Sequence, residues 1–311
     1  MTFIITGGAG FIGSNLAKEL IKIEKDLVIV DNFHTGSIKN IEDLKKKNVK
    51  ILKKNAGQIE KLKMKEIEAI FHNGIYSSSP MYKENPKLVS KVLDEFISIL
   101  NFCLKKDIKL IFASTSSVYN GISPPHKEEA ILKPTDFYSE ARIAMERIGK
   151  LYSEFYGLDV IGLRYFSVYG PGERSKGKYA NLVSQFLWDM LEDKPPIIYG
   201  DGTQTRDFIY VEDVVRANIL ALKSKIKFGI YNVGSGKSYS LNQLVELLNK
   251  KLNKNIKPIY LENKIKNYVQ HTLADTTKAK IELGFEASIS LEEGLDKLIS
   301  FYKKFSFFTI K

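Results

Sequence analysis

A glycine-spaced turn between an apolar strand and an amphipathic helix constrains this 311-residue chain more than any other feature. The stretch "TFIITGGAGFIGSN" (residues 2–15) places Gly7, Gly10 and Gly13 directly after the first apolar run. Glycines there allow a tight turn, let the backbone approach a pyrophosphate and let helix and strand pack closely, while the helix N-terminus attracts negative charge. Bare glycine spacing is weak evidence. The strand before it and the helix after it supply the context that a dinucleotide site requires. The next apolar strand, "DLVIVDNFHTG" (26–36), ends in Asp31, placed to accept from the adenosine ribose hydroxyls. Its charge repels a 2′-phosphate, so NAD is favoured over NADP, although Asn32, His34 and Lys39 could reorganise around a phosphate.

Apolar runs then alternate with amphipathic stretches. The pattern predicts strands at 2–6, 27–31, 49–52, 68–72, 109–114 and 159–164, with helices near 11–23, 38–47, 86–106 and 137–156. Such alternation builds a parallel sheet with right-handed crossovers. Later the pattern loosens into a glycine- and lysine-rich loop at 170–178, a helix at 179–193, strand and turn signals at 195–214, and helices near 212–224 and 240–252. The expected fold is α/β: a Rossmann-type doubly wound parallel sheet over 1–168, receiving 205–230. A smaller mixed α/β substrate domain takes 169–204 and 231–311.

The longest apolar runs, such as "LVIV" (27–30), fall far below the roughly eighteen residues that cross a bilayer. The first strand begins at residue 2 and leaves no space for a leader peptide, so a cytoplasmic protein without a membrane partner is expected. The lone cysteine, Cys103, sits in the helical stretch "FISILNFCLKK" and reads as a small buried hydrophobe. The net charge of +11, from 47 basic and 36 acidic residues, comes mostly from scattered lysines. Scattered lysine reads as a solvated face, so no nucleic-acid partner is expected, and a basic cleft would also suit a substrate with two phosphates. The aromatic tail "FYKKFSFFTIK" (301–311) is expected to pack against the core or a partner subunit.

The predicted strand in "KLIFASTSSVYN" (109–120) ends in the hydroxyl cluster Ser114, Thr115, Ser116 and Ser117. Ligands of open α/β sheets bind outside the carboxyl ends of the strands, where these hydroxyls lie. Tyr138 then begins a helix, "YSEAR", announced by Pro134 and Asp136 as breaker and cap. Tyr138 and Arg142 are four residues apart and share one helix face.

Eight motifs carry a resemblance along nearly the whole chain: "TGGAGFIG", "VDN", "FASTSSVY", "YSEAR", "RYFSVYGPG", "GDGTQTRDFIYVEDV", "YNVGSG" and "LADTTKAKIELGF". In content and order they resemble the extended short-chain dehydrogenase/reductase family, and within it the nucleotide-sugar epimerases and dehydratases. By matching position, Thr115 takes the place of the catalytic Ser or Thr, Tyr138 that of the catalytic tyrosine, and Arg142 that of the lysine. A free tyrosine has a pKa near 10, so the chemistry asks for a neighbouring cation before it can act as a base. The family's lysine also reaches the nicotinamide ribose; arginine can donate there, but its longer planar group occupies a different position. The resemblance implies cofactor contacts from Gly7, Gly10, Phe11, Ile12 and Gly13, and from Asp31 and Asn32. It adds Asn55 and Ala56 after the third strand, Gly74 after the fourth, and Tyr138, Arg142 and Tyr165.

Departures from the family's pattern cluster where the substrate is expected. "FHNGIYSSSP" carries Ser77, Ser78 and Ser79, candidate substrate contacts for which a serine-rich turn before Pro80 is an equal account. Ser167 stands where an asparagine is usual, and Glu95 where many members carry one in the helix. The loop "GPGERSKGKYANLVSQF" resembles the ADP-heptose 6-epimerase branch and implies that Lys176 approaches the sugar or its phosphates, a solvated loop lysine being the alternative. Asn181 and Leu182 match nucleotide contacts of UDP-galactose 4-epimerases, and Arg206 matches an arginine that clamps the diphosphate. The resemblance implies an NAD-dependent nucleotide-diphosphate-sugar epimerase, with a UDP-glucose/UDP-galactose 4-epimerase favoured and an ADP-heptose 6-epimerase as alternative. A dehydratase is disfavoured because Ser116 and Ser117 stand where dehydratases carry an acidic pair. A reading of another class, a non-catalytic dinucleotide-sensing or RNA-binding member, rests on Arg142 and the charge. A homodimer through the helices near 86–106 and 137–156 is expected by analogy, and no metal site is expected.

Overall fold

Seven strands, all but the edge strand β3 largely buried and apolar, line up in parallel and decide where everything else sits. A computed structural model describes residues 2–306, apart from 24, 25, 45–48, 63, 65 and 265. The strands are β1 (Thr2–Thr6), β2 (Asp26–Asp31), β3 (Val49–Lys53), β4 (Ile67–His72), β5 (Lys109–Thr115), β6 (Val160–Tyr165), the short β7 (Ser167–Tyr169), β8 (Ile197–Tyr199), β9 (Thr205–Arg206) and β10 (Phe208–Tyr210), then β11 (Phe228–Val233), β12 (Tyr239–Ser240) and β13 (Ile259–Leu261). The main sheet has the order β11-β6-β5-β4-β1-β2-β3 with every pair parallel. The helices are α1 (Phe11–Leu20), α2 (Ser79–Glu84), α3 (Leu88–Lys106), α4 (Phe137–Tyr156), α5 (Leu182–Leu191), α6 (Val211–Lys223), α7 (Leu241–Leu252) and α8 (Leu291–Ser306).

Strands buried on both faces read as continuous apolar runs, and this sheet shows why. Phe3, Ile5, Ile29, Phe71 and Ile111 face α1 and α6, whose Leu16, Leu20, Val214 and Ala221 join the same cluster. Their neighbours Ile4, Val28, Ile70, Leu110 and Phe112 face Val92, Phe96, Ile99 and Cys103 of α3 and Ala141 and Met145 of α4. Cys103 is fully buried and its thiol is pushed up by that burial, so it packs as the expected small hydrophobe. A separate cluster unites α5, α7 and α8 with β8 and β10 through Phe186, Leu187, Ile198, Tyr210, Leu244 and Leu295.

Two expectations change. Residues Ile38–Leu44 form a 3-10 helix in place of an α-helix at 38–47, whose last residues lie outside the described ones. Its buried residues, Ile41 and Leu44, are three apart, the spacing that a 3-10 turn brings onto one side. The strand β11 was not expected. It pairs with β6, and Ala279, Leu283 and Phe285 pack into the sheet's own core. The physical reason is that β6 would otherwise be an edge with unpaired backbone groups. Within the aromatic tail, Tyr302 of α8 packs against Trp188 with ring centroids 6.1 Å apart, and residues 307–311 lie outside the described ones. Among the described residues, no helix is long and apolar enough to cross a membrane.

Candidate active site

The glycine turn does what its spacing implies. Gly7 has φ +68°, and a Cβ there would lie 2.6 Å from Gly74 Cα. A Cβ on Gly13 would lie 2.2 Å from the Gly7 carbonyl oxygen, so the helix approaches the turn only because glycine stands there. Gly10 caps α1 without any side-chain hydrogen bond, and the first turn of α1 carries no acidic residue. An uncapped ten-residue helix aimed at a cleft leaves N–H groups and a positive dipole end for an anion. The residues present therefore fit the pyrophosphate of a dinucleotide. Gly13→Ala is expected to leave the purified protein without bound dinucleotide, checked by its absorbance ratio and by denaturing release of the nucleotide.

Asp31, at the end of β2, is buried and does two things. Its Oδ2 accepts from Ala9 N at 2.9 Å and its Oδ1 from Phe33 N at 2.7 Å, so it also staples the glycine turn to the loop after β2. Burial raises its carboxyl above the usual range, while N–H groups of Phe33, Ala9 and Gly10 oppose the rise. Around it a 70 Å³ pocket is lined by Asn32, His34, Ala56, Gly74, Tyr76 and Glu95. Asn55 stays outside this lining. Its Oδ1 accepts from Asn32 Nδ2 at 3.0 Å, and its side chain caps the turn Ala56–Lys61.

A larger cleft of 380 Å³ is lined by Gly7, Phe11, Ile12, Ser114–Ser117, Tyr138, Arg142, Lys176 and Asn181. Ser77, Ser78, Tyr165 and Ser167 complete its walls. Thr115 ends β5 and its Oγ1 accepts from Ser117 N at 3.2 Å, fixing the turn that carries Ser116 and Ser117. Tyr138 starts α4 because Asp136, whose side chain accepts from Ser139 N at 2.8 Å, caps it. Ser79 donates to the other oxygen of Asp136, tying α2 to α4. The Arg142 guanidinium lies over the Tyr138 ring, 5.0 Å from its centroid. Its Nη2 donates to the Tyr76 carbonyl at 2.8 Å and its Nη1 to the Ala113 carbonyl at 3.4 Å, while the buried Nε has no partner. The arginine thus keeps the cation beside the tyrosine and turns its fork toward backbone carbonyls. At the end of β4, burial and then the Arg142 charge push the His72 imidazole down to about 3, so it is neutral at pH 7. Thr6 Oγ1 accepts from the Gly74 N–H at 3.2 Å and pairs with His72 Nδ1 at 2.7 Å.

Lys176 Nζ lies 5.8 Å from the Phe11 ring centroid and 3.1 Å from Glu173 Oε1. Glu173 is fully buried and also accepts from Asn181 N at 2.7 Å and Ser184 Oγ at 2.6 Å, so one carboxylate shapes the whole loop. Nothing in "GPGERSKGK" marks it as buried among so many charges, and it was not foreseen. Leu182 turns into the α5–α7–α8 core. Arg206 lines neither pocket. Its Nη1 donates to the carbonyls of Thr205 and Gln270, and its guanidinium lies 5.3 Å from the Tyr268 ring centroid.

A second unforeseen group supports the catalytic residues from behind. Arg164 of β6 makes a two-pronged pair with Glu146 of α4, at 2.9 and 2.6 Å, with both side chains buried. Ser114 Oγ donates to the same Glu146 at 2.5 Å, and Arg164 Nη1 donates to Tyr119 Oη at 2.5 Å. One cation within the apolar strand "VIGLRY" was the only available signal.

A parallel sheet with a glycine turn at its first helix, a buried acid ending β2, and a threonine and tyrosine facing one cleft define a short-chain dehydrogenase/reductase. The model of the NAD dependent epimerase/dehydratase family matches residues 3–234, and the chain belongs to that family. It is 35% identical to the UDP-glucuronate 4-epimerase of Thermodesulfobacterium geofontis, over 97% of this chain and 96% of that protein. Its fold is similar to UDP-N-acetylglucosamine 4-epimerase from Methanobrevibacter ruminantium in complex with UDP-N-acetylmuramic acid (TM-score 0.92, 31% identity, 97% and 98% of the two chains). It is equally similar to UDP-glucose 4-epimerase from Thermotoga maritima with UDP-glucose (TM-score 0.91, 31% identity, 98% and 99%).

Proposed function

We propose that the protein is an NAD-dependent 4-epimerase of a UDP-hexose. The observation that carries this reading is the cleft that Tyr138 and Thr115 share with the α1 N-terminus and Lys176. No carboxylate stands among the described residues that line it, and Arg142 and Lys176 supply positive charge, as a diphosphate-linked sugar requires. Bound NAD supplies reversible hydride acceptance, which lets a hydroxyl-bearing carbon be oxidised and reduced again on its other face. Tyr138 takes the hydroxyl proton as general base and returns it at the end. Thr115 donates a hydrogen bond to the same oxygen and steadies its charge. Arg142 keeps a positive potential against the Tyr138 ring. Asp31 faces the adenosine ribose with a buried carboxylate, which favours NAD over NADP.

The relative with UDP-glucuronate 4-epimerase activity and the hydroxyl-rich wall of Ser77, Ser78, Ser116 and Ser117 support a second reading, in which the sugar carries a carboxylate. Incubation with UDP-glucose, UDP-galactose, UDP-glucuronate and an ADP-heptose, with products separated by chromatography, tests both. Turnover of the ADP-heptose alone would move the reaction to C6. Turnover of no nucleotide sugar, together with tight RNA binding, would overturn the enzyme reading. Arg142→Lys is expected to keep turnover within about tenfold, and Arg142→Met to lower kcat by about a hundredfold, because the charge and not the fork serves Tyr138. Ile97 of α3 and Leu151, Phe155 and Tyr156 of α4 are exposed apolar side chains, so we place the homodimer contact on these helices. Sedimentation of the protein against a Phe155→Glu variant checks it.

A further inference from the structure

The adenosine pocket is bridged by two aromatic rings that neither the glycine turn nor the catalytic residues account for. His34, from the loop after β2, and Tyr76, from the loop after β4, meet edge to face with centroids 4.8 Å apart and planes at 90°. Both line the pocket that Asp31 and Gly74 form, and they come from its opposite sides. The 70 Å³ between the walls is well below the roughly 300–1,000 Å³ of a ligand pocket, so the walls must yield for an adenosine to enter or leave, and the paired rings are part of those walls.

The two rings are held unequally. The Tyr76 carbonyl accepts from Arg142 Nη2 at 2.8 Å and from Tyr82 Oη at 3.3 Å, and its hydroxyl accepts from Lys91 Nζ at 2.8 Å. The Lys91 ammonium also lies 5.1 Å from the Tyr76 ring centroid. Tyr76 is thereby fastened to α4 at its backbone and to α3 at its tip. His34 is exposed, and its backbone N–H donates to Asn32 Oδ1 at 3.0 Å. An exposed side chain hops between rotamers fast, so His34 is the leaf that moves and Tyr76 the post on which it closes.

We propose that His34 and Tyr76 form a clasp that retains the dinucleotide over its adenosine. This rests on the reading of NAD as cofactor and gives it a physical basis: a hydride lent and returned within one turnover leaves the cofactor no reason to exchange. It also gives Arg142 a second task, since its bond to the Tyr76 carbonyl ties the post to the helix that carries Tyr138.

The test is the rate at which bound NAD exchanges with labelled NAD, measured on the full chain without any sugar. His34→Ala and Tyr76→Ala are each expected to speed exchange roughly threefold to tenfold, the worth of an edge-to-face pair, and the double variant no further than the faster single one. His34→Phe keeps a ring edge and is expected to restore slow exchange. The melting temperature of the dinucleotide-free His34→Ala protein is expected to match the parent's, since His34 is exposed. Parental exchange in His34→Ala, or additive effects in the double variant, would overturn the clasp and leave the epimerase reading intact. A parent protein that binds no dinucleotide would overturn the cofactor reading itself.

Discussion

Tyr138→Phe is expected to lower kcat on the nucleotide sugar by about 10²–10⁴-fold while the dinucleotide stays bound, because the proton transfer loses its base and nothing else in the cleft changes. The ring keeps its places. It packs 5.4 Å from the Tyr82 ring and lies beneath the Arg142 guanidinium, and phenylalanine preserves both contacts. The α4 start depends on Asp136 and Ser139, which the substitution does not touch. Steady-state turnover, bound-dinucleotide stoichiometry and the melting curve should be measured together. A loss of activity with unchanged cofactor and melting supports the general-base role. A kcat within tenfold of the parent would show that Tyr138 does not carry the proton.

The second large effect concerns stability. Arg164→Ala is expected to cost roughly 3–5 kcal/mol, because it leaves Glu146 as a buried carboxylate without its cation. Ser114 Oγ still donates to Glu146, but one neutral hydrogen bond does not replace a two-pronged ion pair. Tyr119 loses its guanidinium donor in the same step and keeps Asn232 as partner at 2.8 Å. Replacing both members, with Arg164→Met and Glu146→Leu, is expected to cost less than Arg164→Ala alone, since an apolar pair has no charge to desolvate. Urea unfolding of the dinucleotide-free protein checks this ordering. If the double substitution were the worse one, the network would be contributing net stability through its geometry. Because Ser114 adjoins Thr115, and Glu146 lies one turn beyond Arg142, activity is expected to fall with stability in the single variant.

The residues that could be found without coordinates are those whose role is written in local spacing. Gly7, Gly10 and Gly13 sit on one strand–turn–helix unit, Asp31 ends the next strand, and Thr115 and Tyr138 lie at the end of a strand and the start of a capped helix. In each case chain periodicity fixes which end of the sheet the side chain reaches, so the cleft that gathers them follows from the topology. β11 is not legible in the chain because "FGIYNV" has a glycine and an asparagine inside it; its need as a partner for β6 appears only once the sheet is assembled.

Charge placement followed no such rule. Arg142 was readable as a cation beside Tyr138, yet its hydrogen-bond partner is 66 residues away at Tyr76, and that bond directs the guanidinium fork toward backbone carbonyls. Glu173 and Arg206 come from equally polar stretches, but one is fully buried and organises the substrate loop, while the other is taken up by Tyr268 and two carbonyls outside the cleft. The amino-acid sequence by itself determined the parallel sheet, the glycine turn after β1 and the placing of Thr115 and Tyr138 at a strand end and a helix start, because those depend on residues close together in the chain. Only the tertiary structure decided which charges are buried, which partners hold them and which rings meet beside Asp31, because desolvation and long-range hydrogen bonds exist only after distant segments have packed.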